Sequence, residues 1–155
     1  EIVDDDAMIA ALETGKVAWY VTDFPNEKIA CIPHVIALPH LGASTPESEE
    51  NCAVMAANEL KDYLLNGNIK NSVNLPDTSL SRMGVCRLCV IHRNVPRMIT
   101  RILDFISDRN INVEHMINKP RDKYAYTIVD LGASIGEDIA DSIRAMDNVL
   151  RVRVI

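Results

Sequence analysis

The chain has 155 residues, a formal net charge of −6 and 48% apolar residues, an ordinary globular composition with enough apolar residues for one medium core or two small ones. No apolar run approaches the roughly 18 residues of a membrane helix, and no basic-then-apolar leader begins the chain, so we expect neither membrane spanning nor export. The acidic balance argues against a nucleic-acid binder. The four cysteines are unevenly spaced, which predicts reduced thiols and a cytoplasmic protein rather than a disulfide framework.

The first half of the chain predicts the order helix, strand, strand, helix. Asp4 and Thr45 are the expected N-caps of the two helices. The apolar runs between them lack alternation, which is typical of strands buried on both faces of a parallel sheet. No Gly-rich phosphate-binding turn is present, so this half predicts the incomplete end of a larger Rossmann-type α/β region. The predicted bounds are 4–14 and 46–67 for the helices and 17–22 and 35–38 for the strands.

A polar connector over 66–84 separates this half from a second one with a complete βαββαβ order, the ferredoxin-like arrangement. We therefore predict domains at 1–75 and 85–155 joined by a linker at 76–84. The first strand of the second domain is expected to form an exposed edge that invites a homodimer. The predicted strands are 85–93, 111–117, 123–131 and 149–155, the helices are 95–109 and 137–146, and a polar turn occupies 118–122.

His40 is the first candidate for chemistry. It directly follows a predicted buried strand, and ligands of open α/β sheets lie at the carboxyl ends of strands. Imidazole gives and takes protons near neutrality, and Gly42 would let backbone approach a ligand closely. For a histidine taken alone, a polar residue in a surface turn is the simpler interpretation.

Residues 1–75 resemble the end of the catalytic part of the D-2-hydroxyacid dehydrogenases. The resemblance rests on Ile2-Val3-Asp4 at a helix start, Ala11-Leu12 followed by Gly15-Lys16-Val17-Ala18, Asp23, and the string from Pro39 to Thr45. It implies NAD-dependent oxidation of a 2-hydroxy acid, with 3-phospho-D-glycerate as substrate, in L-serine biosynthesis. The Gly-rich NAD loop, the substrate-binding arginine and the substrate domain have no counterpart, so we expect a C-terminal fragment that is inactive by itself.

The resemblance also implies roles for individual residues. His40 would be the catalytic acid–base, and Glu27 would match the glutamate that partners it in a longer loop. The cofactor contacts it implies are Asp23 and the backbone of His40, Leu41, Gly42 and Ala43.

Residues 85–155 resemble the ACT domain, a small regulatory module that binds amino acids. The match lies at the first strand–helix junction, His92-Arg93-Asn94-Val95-Pro96, and at Asn112. It implies an L-serine site formed by His92 and Asn94 of one subunit and Asn112 of another, with Arg97 standing where the family has glycine. Without the resemblance, Asn94 is also a candidate N-cap and Asn112 a turn residue.

The same residues bear on two other functions. A stand-alone amino-acid sensor or dimerisation module without catalysis is the alternative to an enzyme fragment. An RNA-binding ferredoxin-like domain would need aromatic residues on its central strands, and 85–91 has none. Cys86 and Cys89 lie three apart in a strand and so point to opposite faces, which argues against a metal site.

Overall fold

The computed structural model describes residues 2–155. Its contacts divide the chain into two compact units, one ending at Val54 and one running from Met55 to Ile155. The elements in chain order are α1 (Asp5–Glu13), β1 (Tyr20–Thr22), β2 (Val35–Ala37), α2 (Pro46–Asn66), β3 (Cys86–Arg93), α3 (Met98–Ser107), β4 (Val113–Arg121), β5 (Tyr124–Leu131), α4 (Glu137–Arg144) and β6 (Val149–Val154).

The first unit contains the predicted strand pair. β1 and β2 pair in parallel, with Tyr20 opposite Val35. The predicted cap of α1 is confirmed, because the Asp4 carboxylate accepts a hydrogen bond from the amide of Ala7 at 2.9 Å. Val21 is exposed, so this unit does not bury β1 on both faces as its sequence predicts. That the pair ends a Rossmann-type sheet stays a prediction.

The second unit has the predicted βαββαβ order, and its four strands form one antiparallel sheet in the order β4-β5-β3-β6. The predicted exposed edge over 85–93 is wrong. β3 pairs with β5 on one side and β6 on the other, and the edges are β4 and β6. The reason is visible in β3 itself, whose residues are nearly all buried, as a central strand requires.

Among the element boundaries that differ from prediction, two have a cause in the local backbone. β4 continues through the expected turn to Arg121, which pairs with Tyr124, so the reversal is confined to Asp122 and Lys123. α3 begins at Met98 because Arg97, with φ 69°, adopts the left-handed conformation at the N-cap position. Asn94 therefore does not cap this helix.

The two faces of the sheet carry separate cores. Helices α3 and α4 cover one face over a cluster whose fully buried members include Leu88, Ile106 and Val129. The connector covers the other face: Ile69 and Leu80 are buried there with Cys89, Tyr126 and Ile128. We call residues 67–82 the strap, which packs on the sheet because its apolar residues would otherwise be exposed to water. The division into domains at 1–75, 76–84 and 85–155 stays a prediction.

A buried ion pair lies beneath the strap. Arg87 and Asp130 stand opposite each other on β3 and β5, with both side chains fully buried. Arg87 Nε and Nη2 donate to the two Asp130 oxygens at 2.6 and 2.8 Å. Burial by itself raises the pKa of Asp130, but the hydrogen bonds from Arg87 and from the Met83 amide outweigh it, and the net pKa lies below its ordinary value.

The sheet also supplies donors to the C-terminal end of α2. The last carbonyls of a helix lack intrahelical partners, and the last turn of α2 has no basic residue. Arg153 donates to the carbonyls of Tyr63 and Leu64 at 3.0 and 2.9 Å, and Arg87 Nη1 donates to that of Asn66 at 2.7 Å. The Tyr126 hydroxyl donates to the carbonyl of Gly67 at 2.6 Å. The end of α2 is thereby bonded to β3, β5 and β6.

The substitution Asp130→Asn is expected to destabilise the second unit by about 3 kcal/mol, because it leaves the buried Arg87 charge uncompensated. The folded-state pKa of Asp130 is lowered, so its contribution is present above the ordinary value of 3.8 and is lost as pH falls through the folded value. Hydrogen exchange of the β5 amides in urea, followed as a function of pH, measures the loss of stability in Asp130→Asn and the pH dependence of the Asp130 contribution. Arg144→Gln, which removes two exposed ion pairs, is the control and should match the parent. Equal stability of Asp130→Asn and the parent at neutral pH would contradict this account.

Gly67→Ala is expected to loosen the strap. Gly67 has φ +72°, and an added Cβ would lie 2.4 Å from Cys89 Sγ, a distance that forces the packing apart. Gly15→Ala is a matched control, since Gly15 has φ +70° and open space around it. Hydrogen exchange of 67–80 should rise in Gly67→Ala by more than exchange around residue 15 rises in Gly15→Ala. Equal increases would show that only the backbone conformation matters.

Candidate functional site

The carboxyl ends of β1 and β2 bring an aspartate and a histidine together. Asp23 directly follows β1, and His40 lies three residues beyond β2. The two strands are parallel, so both residues emerge at the same edge. His40 Nδ1 lies 3.0 Å from Asp23 Oδ2, and the ring of Phe24 packs edge-on against the imidazole with 5.6 Å between centroids.

This pair has the geometry of an oriented acid–base. Donation from Nδ1–H to Asp23 leaves Nε2 as the nitrogen able to exchange a proton with a ligand. The side chains of His40 and Asp23 are 63% and 53% exposed, so solvent reaches the imidazole. An added Cβ at Gly42 would meet no atom within 4 Å, so the backbone beside the pair faces open space. Leu41 next to it is exposed.

Glu27 has a different setting from the one the resemblance implies. It lies in a turn that Asn26 organises, whose side-chain oxygen accepts from the amides of Lys28 and Ile29 at 3.1 Å. In the described part of the chain no hydrogen bond or ion pair joins Glu27 to His40. The carboxylate within hydrogen-bonding distance of His40 is that of Asp23. The resemblance implies that Asp23 contacts the cofactor and does not predict its pairing with His40. The available signal was that both residues follow strands expected to be parallel.

His92 is a buried residue of β3. Its Nδ1 lies 2.8 Å from the Arg93 carbonyl and its Nε2 lies 2.8 Å from Thr127 Oγ1, so both ring nitrogens are engaged. Thr127 in turn contacts the Asn118 side chain at 2.8 Å. The network runs across β3, β5 and β4. Nothing in the sequence marks Thr127 and Asn118 for this network, because only the strand register brings them to His92.

Asn94 and Asn112 lie at opposite ends of the sheet. The Asn94 amide donates to the Lys123 carbonyl at the start of β5. The Asn112 carbonyl accepts from Gly132, just beyond the end of β5, and its side chain donates to Glu114 at 2.9 Å. Eight strand residues separate these ends, a distance of about 24 Å. One small ligand therefore cannot contact both asparagines of the same chain.

The two cysteines of β3 are packed in the interior of the domain. Cys86 packs in the core under the helices and Cys89 in the core under the strap, so the two thiols lie on opposite faces of the sheet. Among residues 2–155 there is no group of three or more His, Cys, Asp or Glu side chains arranged to hold a metal ion. None of the helices in the described residues combines the length and the apolar character needed to cross a bilayer.

Comparison with known proteins identifies relatives along the whole chain. D-3-phosphoglycerate dehydrogenase of Haemophilus influenzae is 30% identical over 99% of this chain and 40% of its own length. The Escherichia coli K12 enzyme of that name is 28% identical over 99% of this chain and 41% of its own length, and D-3-phosphoglycerate dehydrogenase 2 of Saccharomyces cerevisiae is 28% identical over 90% and 34%. No protein-family model matches the chain.

Among solved structures, the ACT domain from GTP pyrophosphokinase of Chlorobium tepidum aligns with 45% of this chain and 95% of its own at 14% identity and a TM-score of 0.40. The regulatory subunit of aspartate kinase from Thermus thermophilus aligns with 50% and 54% at 8% identity and a TM-score of 0.39.

The chain spans about two fifths of the length of the bacterial relatives it matches. It is homologous along its full length to the C-terminal part of the D-3-phosphoglycerate dehydrogenases.

Proposed function

We propose that this chain is the C-terminal part of an NAD-dependent D-3-phosphoglycerate dehydrogenase of the cytoplasm, which oxidises 3-phospho-D-glycerate to 3-phosphohydroxypyruvate in L-serine biosynthesis. The observation that carries the proposal is the pairing of His40 with Asp23 at the carboxyl ends of two parallel strands. The homology along the chain supports the same conclusion.

His40 acts as the base in the proposed reaction. Its Nε2 accepts the hydroxyl proton of the substrate while the C2–O bond gains double-bond character, and Asp23 stabilises the imidazolium that forms. NAD supplies the acceptor for the hydride that leaves C2. The open space beside Gly42 suits a cofactor ring against the backbone of His40, Leu41, Gly42 and Ala43. Asp23 is the orienting carboxylate in this scheme, and a catalytic role for Glu27 stays a prediction.

The catalytic proposal is tested in the protein expressed from its complete reading frame, assayed with 3-phosphoglycerate and NAD. His40→Gln should lower kcat by about 10²- to 10⁴-fold, because it removes the proton acceptor. Asp23→Asn should lower kcat less. His34→Gln is the control, since His34 is exposed and its ring packs edge-on against Trp19 in the same unit. Unchanged turnover in His40→Gln would refute the assignment.

We further propose that residues 85–155 form a regulatory ACT domain that binds L-serine between two subunits. β4 is a free edge of the sheet in the described chain, and an unpaired edge accepts a second strand. Antiparallel pairing of two β4 strands would bring the Asn112 end of one copy to the Asn94 end of the other. A site shared by two copies thereby accommodates the separation of about 24 Å within one chain.

The start of α3 suits the carboxylate of an amino acid. Its N-cap makes no side-chain hydrogen bond and its first turn holds no acidic residue, so the amides there are available to an anion. His92 lies in the strand that leads into this loop. Because both of its ring nitrogens are engaged, a contact from His92 to the effector requires one of those bonds to exchange.

Titration calorimetry of this chain with L-serine tests the effector site, with D-serine and glycine as comparison ligands. We expect saturable binding of L-serine by a dimer, and its loss in Asn112→Ala. Asn51→Ala, an exposed substitution on α2, should bind as the parent does. A monomer that binds L-serine, measured by light scattering, would rule out the shared site. Serine binding without dehydrogenase activity in the complete protein would favour the stand-alone sensor instead.

A further inference from the structure

A further candidate ligand site lies between α2 and the strap, and none of its lining residues belongs to the two sites described above. The C-terminal half of α2 and residues 68–75 line an open cavity of about 350 Å³. Its apolar lining includes Leu60 and Tyr63 from the helix and Ile69 and Leu75 from the strap. A volume of this size is sufficient for a small metabolite.

The walls of the cavity are held by bonds that do not involve a ligand. The Arg153 guanidinium lies over the Tyr63 ring, 4.4 Å from its centroid. Arg121 donates to the Leu75 carbonyl at 3.1 Å and to the Ser72 carbonyl at 2.8 Å. Ile69 is buried and its backbone pairs with that of Thr78. A ligand would therefore enter a formed site without the cost of ordering the strap.

Two opposite charges line the same cavity. The Glu59 carboxylate accepts a hydrogen bond from the Asn71 side chain at 2.5 Å, which fixes its position and leaves the second oxygen free. Lys70 lines the cavity from the strap. Within residues 2–155 its ammonium makes no ion pair or side-chain hydrogen bond. The cavity therefore offers an anchored anion, a free cation and an apolar surface between its walls.

We propose that this cavity binds a free α-amino acid with an apolar side chain. Glu59 accepts from the ligand ammonium, Lys70 binds the ligand carboxylate, and the side chain packs against Leu60, Tyr63 and Leu75. A ligand with only a negative charge would leave Glu59 without a complementary group. A ligand with only a positive charge would leave Lys70 without one. The zwitterion matches both charges with one molecule. The site shares no residue with the His40 pair or with Asn94 and Asn112, so it does not depend on the proposed function.

Calorimetric titration of this chain with L-leucine is the test. We expect saturable binding at one site, and weaker binding by about tenfold or more for both Glu59→Gln and Lys70→Gln, because each removes one charge-assisted contact. Lys61→Gln is the matched control for the change of charge, since Lys61 is exposed on α2, the helix that carries Glu59, and does not line the cavity. It should bind L-leucine as the parent does.

Two truncated ligands test the zwitterion requirement. 4-Methylpentanoate lacks the ammonium and isopentylamine lacks the carboxylate, and we expect both to bind at least about tenfold more weakly than L-leucine. Absence of saturable leucine binding, or parent-like affinity in Glu59→Gln and Lys70→Gln, would overturn the proposal. So would leucine binding that is lost in Asn112→Ala, since the ligand would then occupy the effector site. Failure of L-serine to bind would contradict the proposed effector site but would not affect the expected binding of L-leucine. The two proposals can therefore fail independently.

Discussion

The packing of the second unit depends on the buried ion pair between Arg87 and Asp130. Burying two charges is costly, and the cost is offset only when the geometry is good and the remaining donors are satisfied. Here the two side chains face each other across β3 and β5, and the third guanidinium nitrogen bonds the carbonyl of Asn66. The second Asp130 oxygen accepts from the amide of Met83. One pair thus joins two strands to the residues that flank the strap on either side, Asn66 and Met83.

The strap covers the face of the sheet that the helices leave open, so both faces of the sheet are covered. In the sequence it is a polar connector, yet Ile69, Thr78 and Leu80 are buried. Many of the bonds that hold it run from side chains of the sheet to backbone carbonyls, including those of Gly67, Ser72, Leu75 and Asp77. Such bonds do not depend on the side chains of the strap. The proposed amino-acid cavity exists because the strap lies against the sheet and α2.

The His40–Asp23 pair follows from a simpler constraint. Parallel strands end at the same edge, so residues that follow them in sequence become neighbours in space. The separation of 3.0 Å between His40 Nδ1 and Asp23 Oδ2 leaves Nε2 as the imidazole nitrogen that is not paired with Asp23. The same reasoning explains why Glu27, in a turn beyond the end of β1, does not occupy that position.

The sequence by itself determined the βαββαβ order and the caps at Asp4 and Thr45, whose side chains accept from the amides of Ala7 and Ser48, because local patterning and turn chemistry carry this information. It did not determine that β3 is central or that Arg87 meets Asp130, since strand order and register depend on pairings between residues far apart in the chain. The separation of Asn94 from Asn112 and the burial of the strap were also decided only by tertiary packing. A short-range pattern records which face of a strand is apolar, but not which segment of the chain covers it.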